Sequence, residues 1–153
     1  MSELDDVDRR ILTALQKDGR MTNAELSEVV HLSPSACHRR VQQLEAQGVI
    51  RNYVALLDPH KMGRPTTVFV EITLSGQADE VLEAFEREVA RIPDVLECHL
   101  MAGTADYLLK VVALDTEDFA QIHRRFLARL PGVAQMQSSF ALRTVFKTTA
   151  LPV

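Results

Sequence analysis

Thr22–Gly48, TNAELSEVVHLSPSACHRRVQQLEAQG, decides the fold of the first part of the chain. Thr22 and Glu25 are spaced as a capping box, in which each side chain satisfies a free backbone N–H of the first helical turn, so a helix starts near Asn23. Ser33 is a good N-cap, and Pro34 suits the first helical position, where no N–H is needed and φ is already helical. A second helix therefore opens there and is closed by Gly48 from a left-handed position. Two helices separated by His31 and Leu32 form the bend of a helix-turn-helix, whose second helix lies in the DNA major groove. DNA binding is the leading expectation.

On that second helix Cys37, Val41 and Leu44 fall at i, i+4 and i+7 and should point inward. Ser35, His38, Arg39, Gln42 and Ala46 fall on the opposite side, flanked by Arg40 and Gln43, where a long side chain reaches a phosphate. The candidate DNA-binding residues are thus Ser33, Ser35, His38, Arg39, Arg40, Gln42 and Gln43. The plainer reading is a solvated helix face, with Ser33 only a cap and the arginines paired to Glu45 or a neighbour. Upstream, Val7, Ile11, Leu12 and Leu15 mark a helix from about Asp5 to Asp18, stopped by Gly19, which supplies the third helix of a small bundle. Downstream, Val49–Asp58 (VIRNYVALLD) reads as a strand and Asp58–Pro65 (DPHKMGRP) as a linker.

At 153 residues and 46% hydrophobic, the chain can build one ordinary core or two small domains. The net charge of −4 argues against a general nucleic-acid coat. Locally the balance differs: Val29–Leu44 holds no acid, while His38, Arg39 and Arg40 cluster. Residues 1–64 carry nine basic and nine acidic side chains, and the remainder eight and twelve, as suits a DNA-binding head on a body that avoids DNA. No apolar run approaches the roughly 20 residues of a membrane span, and MSELDDVDRR lacks the pattern of a signal peptide, so a cytoplasmic protein without membrane partners is expected. Cys37 and Cys98 are expected to be reduced, buried thiols.

Past the linker the chain repeats itself. Val68–Val95 lies over Asp106–Val133 with a constant offset, anchored by Arg91-Ile92-Pro93-Asp94-Val95 against Arg129-Leu130-Pro131-Gly132-Val133. In each copy a strand (VFVEITL, then YLLKVVAL) leads into a helix (ADEVLEAFEREVARI, then TEDFAQIHRRFLARL) and on to another strand (VLECHLM, then VAQMQSSFALRTVF). Two βαβ units in tandem are the signature of a ferredoxin-like α+β sandwich, with two helices on one face of a four-stranded antiparallel sheet. Alternation puts Val68, Val70, Ile72 and Leu74 on one side and Thr67, Phe69, Glu71 and Thr73 on the other. The face without helices would mix apolar groups with Glu71, Glu97, His99 and Lys110, which predicts a dimer through the sheets.

No nucleophile elbow, P-loop or evident carboxylate pair is present, and no enzyme activity is expected. The pairs Cys37-His38 and Cys98-His99 lack metal-ligand spacing, because adjacent residues point in different directions on a helix or strand. No metal or cofactor is expected.

The order of parts, with LSPSACHRRVQQLEAQGVI in the head and ECHLMAGTADYLLKV in the body, resembles the Lrp/AsnC (feast/famine) family of transcriptional regulators. LDDVDRRILTALQKDGRMTNAELS, ALLDPHKMG, FVEITL and RLPGV extend the likeness from Leu4 to about Lys147. The resemblance implies a winged-helix-like helix-turn-helix domain over 1–50, a strand and linker over 51–65, and a ferredoxin-like, ACT-like (RAM) domain over 66–153 for oligomerisation and effector binding. It implies double-stranded DNA as partner, a homodimer assembling to tetramers or octamers, and a small amino acid as effector in a cleft between neighbouring bodies. The turn bordering that cleft makes Met101, Ala102, Gly103, Thr104, Asp106 and Tyr107 the candidate effector residues. A glycine there lets N–H groups approach a carboxylate, and an aspartate can hold an α-ammonium. Thr104 stands where the family's Gly-Asp-x-Asp-Tyr carries its first acid. In the recognition helix Gln42 and Gln43 stand where basic residues are frequent, and His38-Arg39 where an apolar-acidic pair is common; Gln can read adenine and Arg guanine. The alternative is a small-molecule sensor or interaction module whose head binds a protein; a third reading, an enzyme's regulatory subunit, needs a catalytic partner.

Overall fold

Capping decides where the first helices begin. Asp5 accepts the N–H of Asp8 while the Asp8 carboxylate accepts that of Asp5, and α1 (Asp6–Lys17) follows. The same reciprocal pair at Thr22 and Glu25 opens α2 (Asn23–Val30). His31 then turns the chain with φ 57°, a left-handed conformation unusual for a residue with a side chain. Ser33 caps α3 (Pro34–Ala46) through the N–H of Ala36, and Gly48 leaves it at φ +72°. Ile11, Leu12, Ala14, Leu26, Val30, Cys37 and Leu44 are buried together, with Val41 packed partly against them.

The computed structural model describes residues 4–153, so Met1–Glu3 at the start of the expected head lie outside the described residues. The chain divides into two compact units, Met1–Leu56 with Phe146–Val153, and Leu57–Val145. In the first unit, Gln16 donates to the Leu151 carbonyl at 3.0 Å and accepts the Leu151 N–H at 2.6 Å.

The strand expected over Val49–Asp58 does not form. All residues from 51 to 58 are exposed, and no strand of the described residues pairs with them. Val49, Ile50, Tyr53 and Val54 favour an extended chain, yet a strand exists only where a neighbour completes its hydrogen-bond ladder.

The second unit is the expected α+β sandwich. Its elements are β1 (Thr66–Leu74), α4 (Asp79–Val89), β2 (Val95–Leu100), β3 (Tyr107–Ala113), α5 (Thr116–Arg125) and β4 (Val133–Phe140), with a 3₁₀ turn at Leu127–Arg129. The sheet order is β2-β3-β1-β4, antiparallel throughout. Val68, Val70, Ile72 and Leu74 of β1 and Tyr107, Leu109, Val111 and Ala113 of β3 are buried under Phe85, Val89, Phe119 and Ile122 of the helices. Phe85 and Tyr107 rings lie 4.5 Å apart.

Three expected limits change. The last strand ends at Phe140 rather than Phe146, because its final rung, Ala141 N–H to Thr67 O, reaches the start of β1, which Pro65 precedes. The helix expected through Leu130 stops at Arg125 and tightens to 3₁₀, and Leu130 is extended at ψ 135°, as a residue before proline prefers. Cys98, expected to be buried, is exposed because β2 is an edge strand.

Candidate DNA-reading helix and effector turn

The start of α3 is fixed from both sides. Ser33 holds the Ala36 N–H, and Asn23 at the start of α2 donates its side-chain N–H to the Pro34 carbonyl at 2.8 Å. With Cys37 and Leu44 buried, the helix has one rotational setting, and Ser35, His38, Arg39, Gln42 and Gln43 stand exposed. Ser33 Oγ lies 3.4 Å from Ser35 Oγ. Arg39 makes no ion pair or side-chain hydrogen bond among the described residues.

Arg40 is placed differently. Its guanidinium pairs with the carboxylates of Asp5 and, at 3.0 Å, of Asp8, the two residues of the α1 capping box. The plainer reading expects the arginines to pair with Glu45 or a neighbour; Arg40 does pair with neighbouring carboxylates, while Glu45 accepts from the Tyr53 hydroxyl at 3.0 Å. Hydrogen bonding from Arg40 and from the Asp8 N–H holds the Asp5 carboxyl below its ordinary range, and the Asp5 and Asp8 bonds raise the Arg40 guanidinium in turn. Arg39, Arg40, Gln43, Leu44 and Gln47 line a polar hollow with Asp5 and Asp8. Asp5, Asp8 and Asn23 were missed as site residues in the sequence, although the capping pattern was there to find Asp5 and Asp8.

In the second unit the turn after β2 is closed by the Met101 N–H on the Asp106 carbonyl at 2.8 Å. Met101, Ala102, Gly103 and Thr104 are exposed. A Cβ on Gly103 would meet open space, and its φ needs no glycine, so nothing within the chain requires its small size. Asp106 is turned inward: one oxygen accepts the Leu74 N–H at 2.7 Å and the other the Gln77 side-chain N–H at 3.0 Å. Tyr107 is buried, its hydroxyl donating to Glu86 at 2.6 Å, and burial with that carboxylate raises its pKa. The structure therefore brings Met101–Thr104 together on the outside and gives Asp106 and Tyr107 to the body's own framework.

Beside this turn an open cleft of about 460 Å³ runs between α4 and β2, lined by Val89, Val95, Leu96, Cys98, Leu100, Glu86 and Tyr107 among others. Partial burial of the Cys98 thiol in this lining, and then the nearby Glu86 carboxylate, push it up to about 11, so it is a neutral thiol at physiological pH. Across the face without helices, Lys110 donates to Glu97 at 2.8 Å and His99 lies 3.2 Å from the same carboxylate. Phe69, Leu108 and Val112 share that face by register. Among the described residues no group of His, Cys, Asp and Glu is arranged to hold a metal, and no helix is long and apolar enough to cross a membrane.

Both units match known sequence families. The model of a winged helix-turn-helix DNA-binding domain matches residues 4–51, and that of the Lrp/AsnC ligand binding domain matches residues 67–151. The leucine-responsive regulatory proteins of Escherichia coli K12 and Salmonella typhimurium are 43% identical to the chain over 151 residues, covering 99% of it and 92% of each relative. Among solved structures, a Neisseria meningitidis transcriptional regulator in complex with L-Met superposes with a TM-score of 0.93 at 41% identity, over 98% of this chain and 97% of that one. An AsnC family regulator from Agrobacterium tumefaciens gives 0.93 at 40%, over 97% and 96%.

Proposed function

This chain belongs to the Lrp/AsnC family of transcriptional regulators, and we propose that it reads DNA with the outer row of α3 and senses an apolar amino acid beside the Met101–Thr104 turn. That it is a helix-turn-helix DNA-binding regulator with an amino-acid-binding domain follows from the family itself. The family is one of regulators rather than of catalysts.

The observation that carries the DNA reading is the exposed row Ser35, His38, Arg39, Gln42 and Gln43 on a helix whose start is capped and tied to its neighbour. Arg39 suits guanine or a phosphate, Gln42 suits adenine, and Ser35 in the first turn suits a phosphate. Paired heads would place two such helices in major grooves about one helical turn apart, or a multiple of it.

For the effector, the cleft offers Val89, Leu96 and Leu100 as apolar wall, which fits an apolar side chain. The exposed backbone of Ala102, Gly103 and Thr104 offers N–H groups to a carboxylate, and the open space at Gly103 leaves room for close approach. Asp106 and Tyr107 set the turn's shape in this scheme. That a relative is named leucine-responsive and another regulator binds L-Met supports an apolar amino acid here. Dimerisation through the face bearing Phe69, Leu108, Val112 and the Lys110–Glu97 pair, with further assembly to tetramers or octamers, would make the cleft a junction between bodies.

Selection of bound fragments from genomic DNA, with and without a pool of the twenty amino acids, tests both halves. A discrete, roughly palindromic site is expected, its recovery altered by the apolar members of the pool. No enrichment in either condition would overturn the DNA reading, and enrichment indifferent to every amino acid would overturn the sensing.

A further inference from the structure

Neighbouring arginines on α3 meet opposite surroundings. Arg39 is exposed and unpaired among the described residues, whereas the Arg40 side chain is 32% exposed between Asp5 and Asp8, at 50% and 17%. The two carboxylates are not free to follow Arg40 outward. Each is half of the α1 capping box, so leaving would uncover N–H groups of that helix. The group of three carries a net charge of −1. Moving the guanidinium onto a phosphate would leave two carboxylates unpaired beside a polyanion, so approach to DNA gains little net neutralisation at this position.

We propose that Asp5 and Asp8 withhold Arg40 from the DNA backbone and make it a positioning residue that fixes α3 against α1, leaving phosphate neutralisation by this pair of arginines to Arg39. This rests on the reading of α3 as the DNA-contacting helix. Its consequence is for specificity: a cation held inside the fold adds nothing to sequence-independent affinity, so the base-reading row weighs more in the choice of site.

The test uses the full chain and a short random-sequence duplex, with affinity followed from low to physiological salt. Asp5→Asn with Asp8→Asn removes both negative charges that hold Arg40, while each side chain keeps an amide oxygen to accept its capping N–H. The freed arginine is expected to steepen the slope of log K against log salt by about one and to tighten low-salt binding several-fold. Adding Arg40→Gln to that pair should abolish the gain. A gain that survives in the triple variant reflects the lost acids alone and overturns the proposal. In the otherwise native chain, Arg39→Gln should flatten the slope by about one and Arg40→Gln should leave it unchanged. Equal flattening by both overturns the proposal without calling on the acid variants, should these fold poorly. Flattening by Arg39→Gln with no gain on release overturns only the withholding of Arg40. No effect of Arg39→Gln, with no gain on release, overturns the reading of α3 and the proposal together.

Discussion

Among the described residues the first unit buries seven apolar side chains in its core, none of them aromatic, while the second buries fifteen, including Phe85, Tyr107 and Phe119. What the head lacks in buried surface it replaces with devices that act within a few residues: two capping boxes, the Ser33 cap, the left-handed His31 and Gly48, and the Asn23–Pro34 tie. The body leans on such devices less: Asp115 caps α5 and Gly132 is left-handed, but α4 starts without a side-chain cap, and the sheet's strands pair across long stretches of sequence. Large aromatic groups contribute most per residue to burial, so the body should hold the greater stability and the head should open first.

Phe85→Ala tests this hardest. Its ring is fully buried against Tyr107, and its loss should cost about 3–5 kcal/mol in denaturant unfolding of the body. A cost below about 1 kcal/mol would break the contrast. Two glycines sharpen it. A Cβ at Gly132, at φ +73°, would sit 2.8 Å from Val81 Cγ1, so Gly132→Ala should cost about 1–2 kcal/mol for the backbone and about 1–3 kcal/mol for the crowding. Gly48 has φ +72° and nothing within 4 Å, so the same change there should cost only the backbone part. Equal losses in thermal unfolding would mean that the body yields around Val81 without cost, and the contrast in packing would fail. Thr22→Ala removes one half of a capping box and should cost about 1 kcal/mol, seen as earlier melting of the helical signal.

Acid is expected to have the smallest effect. Arg40 lowers the Asp5 pKa, the Thr22 N–H lowers that of Glu25, and Lys110 lowers that of Glu97. A carboxyl with a folded pKa below its unfolded value of about 4 adds stability that is complete above that value and fades as pH falls through the folded one. Two of these groups are in the head and one in the body. Amide hydrogen exchange below pH 4 should therefore show the head loosening before the sheet, and simultaneous loosening would break the pattern.

These differences also explain what could be read from residues alone. A cap and its helix lie within a few positions of each other, so Thr22, Ser33 and Gly48 announce their roles directly, and the repeat with its alternation announces the sandwich. The strand expected after Val49 failed because an extended segment is defined by a neighbour, which no local pattern contains. The same limit hides the site's details. Arg40 meets partners 35 and 32 residues away, and Asp106 meets the Leu74 N–H 32 residues away, so on sequence spacing both looked available for a ligand. Exposure of Cys98 depends on β2 being an edge, a property of strand order.

The grip of Gln16 on Leu151 has a practical side. One carboxamide gives an N–H to the carbonyl and takes the N–H of the same residue, as a neighbouring strand would. The reading head is therefore stitched from two distant parts of the gene, and dissecting the protein at Leu57 would deliver residues 1–56 without a piece of their own fold. A fluorophore carried at Thr149, two positions from that grip, becomes a reporter on the head rather than on the body from which its strand of chain emerges.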